Sequence, residues 1–174
     1  MIRDNRAQSG AALVEFAVLA PLLIMLLFGI VSAGLAFNES LALTHAAREA
    51  GRSAATLPVS NFADLDAWLA AVSLQAINDA DGSLDNSVPG RTVCVSYVHP
   101  DGTLATDVTK RQITTPAGPQ PTELLPCFAD GRPNDERRVQ ISVARDSEIN
   151  VILFSIDVTL DSEATNRFEA GLGG

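Results

Sequence analysis

From Phe16 to Phe37 run 22 consecutive residues without a charged side chain. Coiled as an α-helix, that run spans roughly 33 Å, about the thickness of a bilayer's hydrocarbon core. A helix on a soluble domain normally keeps one polar face toward water. A buried core helix is therefore the weaker reading, and a membrane-crossing helix the stronger. Arg3 and Arg6 precede the run, against a single acid, Asp4. Positive flanks stay in the cytoplasm, so the N-terminus is expected inside and everything after Phe37 outside. A cleaved secretory signal is the other alternative, with small-residue sites after Ala33 or Ala36. The run is long for such a signal, and an acid, Glu15, stands at its start.

Glu15 is the informative residue. A carboxylate at the edge of a membrane helix is costly unless it is paired or neutralised. It lies four residues after Ala11, which follows Gly10. A cut between Gly10 and Ala11 would give Ala11 a free ammonium, one helical turn from the carboxylate. In a packed bundle the same carboxylate would also meet the ammonium of a neighbouring subunit. Proteolysis would then create the charge that neutralises Glu15.

The stretch Gly10-Ala11-Ala12-Leu13-Val14-Glu15-Phe16, followed by an apolar run containing Pro21, resembles the class III signal of type IV pilins and pseudopilins. More narrowly, it is similar to the TadE-like minor pilins of the Tad/Flp (tight adherence) pilus, whose helix is entered by a G-x-x-x-x-E-[FY]-A segment. The similarity continues through Ala17–Phe28 and into Ala42–Arg52. That last stretch is like the family's AAREGAR segment, with Ala50 and Gly51 in swapped order. It covers about residues 6 to 56, with a weaker echo over Ala164–Glu169. The resemblance implies that a membrane aspartyl prepilin peptidase cuts after Gly10. It implies that Ala11 becomes the new N-terminus, and that Glu15 and Phe16 serve assembly with other pilins and pseudopilins. Minor pilins of this kind are thought to initiate, cap or prime a filament. Losing residues 1–10 removes two Arg and one Asp, so the formal charge goes from −9 to −10. Pro21 removes one helix hydrogen bond. It reads either as a harmless kink or, as the resemblance implies, as a point of local melting when subunits pack.

Nothing breaks the helical pattern from Phe37 to Thr56, and Pro58 supplies the stop. The whole run from Ala11 to Thr56 would be roughly 69 Å long. Leu43, Ala46 or Ala47, Ala50, Ala54 and Leu57 recur at helical spacing, with Glu39, Arg48, Glu49 and Arg52 on a polar side. Small residues on such a stripe admit a close neighbour. His45 lies near the stripe and reads as a packed or half-exposed residue, not a catalyst. A second helix is expected over Asn61–Asn78, with Asn61 as N-cap and Asp64 and Asp66 in its first turn. Phe62, Leu65, Leu69, Val72 and Ala76 trace its buried stripe, with Trp68 beside it. The acids of Asp79–Asn86 suggest calcium at first sight. Placing Gly82 at the sixth position of an EF-hand loop puts Ile77 at the first, where it cannot ligate, so a solvated turn is preferred.

The C-terminal half alternates as strands do: Arg91–Val98, the region around Val139, Ile141 and Val143, and Ile152–Leu160, with a further strand near Leu104–Thr109. The polar join Asp146–Asn150 is expected to turn an antiparallel hairpin. One apolar sheet face would pack on the long helix, giving an α+β fold. The expected organisation is a cytoplasmic leader at 1–10, a transmembrane helix at 11–37, its extension at 38–57 and an extracytoplasmic domain at 58–174. Pro116, Pro119, Pro121, Pro126 and Pro133 mark an irregular surface loop, a connector or a contact surface for another pilus component. Cys94 and Cys127 both fall on the predicted outer side, where disulfides persist. A bridge would close a loop of about 34 residues and add roughly 3–4 kcal/mol by the chain-entropy model.

The function classes this leaves are few. A charge of −9 and a pI of about 4.5 argue against nucleic acid, which needs clustered Lys and Arg. His45 and His99 lie far apart, without neighbouring ligands, so no metal site and no cofactor are expected. No nucleophile–base motif, P-loop or dinucleotide fingerprint occurs, and the chain is not expected to be an enzyme. The expectation is a minor pilin or pseudopilin of the inner membrane, with a prepilin peptidase and other pilins as partners. The alternative is a signal-anchored periplasmic domain or enzyme unrelated to pili.

Overall fold

The computed structural model describes residues 5–99, 108–132, 136–151 and 154–169, with backbone alone for 5–9 and 11. In chain order it contains α1 (Asn5–Thr56), a 3-10 turn (Val59–Asn61), α2 (Leu65–Asp79), β1 (Thr92–Val98), β2 (Lys110–Thr115), β3 (Gly118–Pro119), β4 (Arg138–Val151) and β5 (Phe154–Arg167). The strands form one sheet in the order β3-β2-β1-β4-β5, and β1 pairs antiparallel with both β2 and β4. The expected α+β class, a long N-terminal helix with an antiparallel sheet, is what the chain adopts. By contact density it divides into two units. One is Met1–Phe37 with Glu148–Asp157, the other Asn38–Ser147 with Val158–Gly174.

In the first unit, α1 exposes its large apolar side chains from Leu13 to Phe37. Among the described residues, α1 is the one helix long and apolar enough to cross a membrane, and none of its most apolar stretch is buried. Its helical backbone begins at Asn5, six residues before Ala11, so the Gly10–Ala11 bond lies within helix. The helix runs through Pro21, whose missing N–H leaves the Ala17 carbonyl without its intrahelical partner. The ends of β4 and β5 belong to this unit too. The Ser32 hydroxyl donates to the Asn150 carbonyl at 2.7 Å.

The second unit holds the core. Leu43, Ala46, Ala47, Ala50 and Ala54 of α1 are buried, as their spacing predicts. They meet Trp68, Leu69, Val72 and Ala76 of α2, and the alternating Val93, Val95, Tyr97 and Val139, Ile141, Val143 of the sheet. Register places Val93 opposite Val143, Val95 opposite Ile141 and Tyr97 opposite Val139, so one sheet face is continuously apolar. Each fully buried Val, Leu or Ile stabilises by about 1.5–3 kcal/mol. Small side chains let the sheet come close to α1. A Cβ added at Gly51 would run into the Asn166 amide of β5 and meet its Cγ at 3.4 Å. Trp68 anchors the centre, edge-on to Tyr97 and Phe168 with both centroids at 6.1 Å. Its indole N–H donates to the Leu57 carbonyl at 3.0 Å. Arg145 and Ser147 of β4 both reach Glu39, at 3.6 and 2.7 Å, fixing the strand along α1.

Four expectations are corrected. The N-cap of α2 is Asp64, which accepts from the Ala67 N–H at 2.8 Å, and not Asn61. Pro58 starts extended, residues 59–61 close a 3-10 turn, and the helix begins only where an acid side chain takes up a free N–H. Asp146–Asn150 do not turn a hairpin but continue β4 to Val151. Glu148 to Val151 still alternate polar and apolar, which favours strand over turn. Of the strand expected near Leu104–Thr109, residues 104–107 lie outside the described residues, and Val108 and Thr109 are irregular. The strand in this region is β2, starting at Lys110. The last strand extends beyond Leu160 to Arg167, while Ile152, where it was expected to start, lies outside the described residues.

Candidate functional site

The residues singled out for processing and assembly lie along the first two turns after Gly10. Gly10 is exposed, and a Cβ added there meets nothing within 4 Å among the described residues. Glu15 is exposed, and Phe16 is exposed by 66 %. Val14, Val18 and Leu19 share the face of the helix that carries the Glu15 carboxylate. No cation pairs with it among the described residues. Four residues of helix separate it from Ala11, roughly 6 Å along the axis. An unpaired charge next to hydrocarbon is costly.

The second unit contains a buried polar cluster that the strand pattern did not reveal. Ser96 and Gln140 sit opposite each other on β1 and β4, on the sheet face away from the apolar core. Gln140 is fully buried. Its Oε1 accepts from the Ser96 hydroxyl and from the Cys127 N–H, both at 3.1 Å. Its Nε2 donates to the Phe128 carbonyl at 3.0 Å and to Asp130 at 2.9 Å. Arg138 grips the same Asp130 with two bonds, Nε at 2.7 Å and Nη2 at 3.1 Å. The Arg132 N–H adds a further bond at 3.2 Å. Burial pushes the Asp130 pKa up, but the bonds from Gln140, Arg132 and Arg138 outweigh it and hold the carboxyl below its ordinary value.

The Cys94–Cys127 disulfide forms as expected, with Cα atoms 5.9 Å apart. The bridge and the Gln140–Asp130–Arg138 cluster, a latch between loop and strands, together tie the Pro-rich loop to the sheet. Arg111 ties its earlier part, exchanging both backbone bonds with Glu123 and pairing with its carboxylate. The loop is thus irregular but held at both ends. Pro119 lies in the two-residue strand β3, and Pro133 lies outside the described residues. His45 is on the exposed side of α1, and His99 is buried beside Tyr97.

Residues 10–52 match the family model described as TadE-like protein. The match begins at Gly10, takes in Glu15 and the apolar stretch of α1, and ends at Arg52 on its extension. It supports a protein associated with the Tad pilus. No curated protein and no solved structure matches the chain significantly.

Proposed function

We propose that this chain, whose residues 10–52 are a TadE-like segment, is a minor pilin or pseudopilin of a Tad/Flp pilus and acts structurally, not catalytically. The observation that carries the reading is where that segment starts: at Gly10, immediately before the bond whose cleavage would supply Glu15 with an ammonium. The precursor enters the inner membrane as a single pass, with Arg3 and Arg6 inside. A prepilin peptidase cuts between Gly10 and Ala11. That bond lies in helical backbone, so the peptidase must open the helix first. Gly10 eases the opening, since glycine is about 1 kcal/mol less favourable in a helix than alanine. Because an added Cβ at Gly10 touches nothing, Gly10→Ser acts on recognition by the peptidase and not on the chain's own fold.

After cleavage α1 packs among other pilin helices, its exposed apolar side chains meeting lipid or neighbouring helices. Glu15 takes the Ala11 ammonium of its own chain or of the next subunit. The second unit stays outside, where the Cys94–Cys127 bridge is at home in an oxidising compartment. Its loop, clamped by bridge and latch, offers a rigid contact surface. The test is Glu15→Ala. Pilus assembly should fall sharply while the fluorescence and thermal unfolding of Trp68, the single tryptophan of the chain, stay unchanged. Normal assembly by Glu15→Ala would refute the pairing.

A further inference from the structure

The far ends of β4 and β5 are unusual for a strand pair beside water. Between Glu148 and Asp157 the sequence reads INVILFSI, without a charge and with six apolar residues in eight. Phe154 is 54 % exposed and Ile156 48 %. Among the described residues Phe154 and Ile156 lie open to solvent, and exposed apolar strand residues are an aggregation hazard in water. The position of this tip suggests the cover. The Ser32 hydroxyl binds the Asn150 carbonyl, and Glu148–Asp157 belong to the same compact unit as the apolar stretch of α1. Ser32 lies five residues before Phe37, the last apolar residue of the uncharged run. Along the helix that is roughly 7.5 Å inside the run's outer end.

We infer that Ile149, Val151, Phe154 and Ile156 form a second membrane contact, seated at the headgroup–acyl boundary of the bilayer that α1 crosses. This rests on the reading of α1 as a membrane span. The depth follows from two limits. Interfacial elements bury their apolar side about 5–10 Å into this boundary, which matches the level of Ser32. Strand edges with unpaired backbone groups are excluded from the hydrocarbon core itself, so the tip goes no deeper. Ser32 satisfies one such group, the Asn150 carbonyl, where β4 has run past the end of β1. Glu148 and Asp157 bound the apolar tip at the level where carboxylates return to water. The contact would give the first unit two membrane-facing elements, α1 and the apolar ends of β4 and β5.

The test uses the full chain in phosphatidylcholine vesicles carrying nitroxide-labelled lipid, with the label at acyl carbon 5 or 12. Phe154→Trp reports the tip, Leu23→Trp reports the middle of α1, and the parent chain, whose Trp68 is buried, gives the background. The inference expects Phe154→Trp to be quenched about twofold more by the shallow label than by the deep one, the pattern of interfacial depth. Leu23→Trp should show the reverse preference. If Leu23→Trp is quenched and Phe154→Trp stays at background, the membrane span stands and the tip contact is overturned, leaving the tip to a protein partner. If neither rises above background, the span itself fails and the contact with it. Stronger quenching of Phe154→Trp by the deep label would overturn the interfacial placement.

Discussion

Gln140→Ala removes the hub of the latch between the sheet and the Pro-rich loop. The side chain is fully buried and makes four bonds of 3.1 Å or shorter: to Ser96, Cys127, Phe128 and Asp130. The bond to the Asp130 carboxylate counts for about 1.5–3 kcal/mol, and each of the two backbone bonds for roughly 1 kcal/mol. The Ser96 hydroxyl can turn to another acceptor and counts for little. The sum is roughly 4 kcal/mol, and water entering the vacated space recovers part of it, so a net loss of about 3 kcal/mol is expected. The disulfide keeps the loop attached, so the loss appears as stability and not as a missing domain. Trp68, in the core on the other side of the sheet, reports unfolding of this unit by fluorescence in urea. With a slope near 2 kcal/mol per molar, the midpoint should drop by about 1.5 M at unchanged slope. Gln140→Glu, similar in volume, should also destabilise at neutral pH, because it sets a second carboxylate against Asp130 and the Phe128 carbonyl. A midpoint shift of Gln140→Ala below about 0.3 M would mean the latch carries no net energy, and the account of the loop would be wrong.

Two further predictions concern the same region. The Asp130 carboxyl is held below its ordinary value, so its contribution is fully present above the unfolded value of about 3.9 and is lost as pH falls through the folded value. Urea midpoints measured below pH 4 should therefore decline in the parent chain, and Asp130→Asn should remove part of that decline while lowering stability at pH 7; an unchanged acid limb would remove Asp130 from the account. Reducing Cys94–Cys127, or replacing both by alanine, should cost roughly 3–4 kcal/mol by the chain-entropy model, read as a lower thermal midpoint of the Trp68 signal. A loss under about 1 kcal/mol would contradict the chain-entropy account of the bridge.

Much of the architecture is legible in the sequence because it rests on local periodicity. The uncharged run after Phe16, the Leu43–Ala54 stripe and the alternation in β1 and β4 each state which face is apolar, and the structure buries or exposes those faces accordingly. The parts that were not legible depend on partners far away in the chain. Gln140 looks like an ordinary outward-facing polar residue of an alternating strand, and only residues 127–130 arriving from a loop make it a buried hub. β2, reading KRQITT, carries no apolar alternation. It buries Gln112 and Thr114 on the core side instead, so periodicity does not mark it. Asp146–Asn150 are polar enough to suggest a turn, yet Glu39 and Ser32 on α1 supply partners that let the strand continue. Asn61 and Asp64 are both good caps by residue type. The choice falls to Asp64 because the 3-10 turn after Pro58 uses up the residues before it. For the N-terminal segment, the motif at Gly10–Phe16 was visible in the sequence because its spacing is itself the signal.

The central claim is that cleavage after Gly10 makes the charge that Glu15 requires. It is tested most directly by intact mass and N-terminal sequencing of the chain expressed with and without its cognate prepilin peptidase. The account predicts a chain beginning at Ala11 only when the peptidase is present, and an uncut chain for Gly10→Ser. A chain beginning at Gly34 or Phe37 regardless of the peptidase, or one that keeps residues 1–10 in its presence, would contradict it.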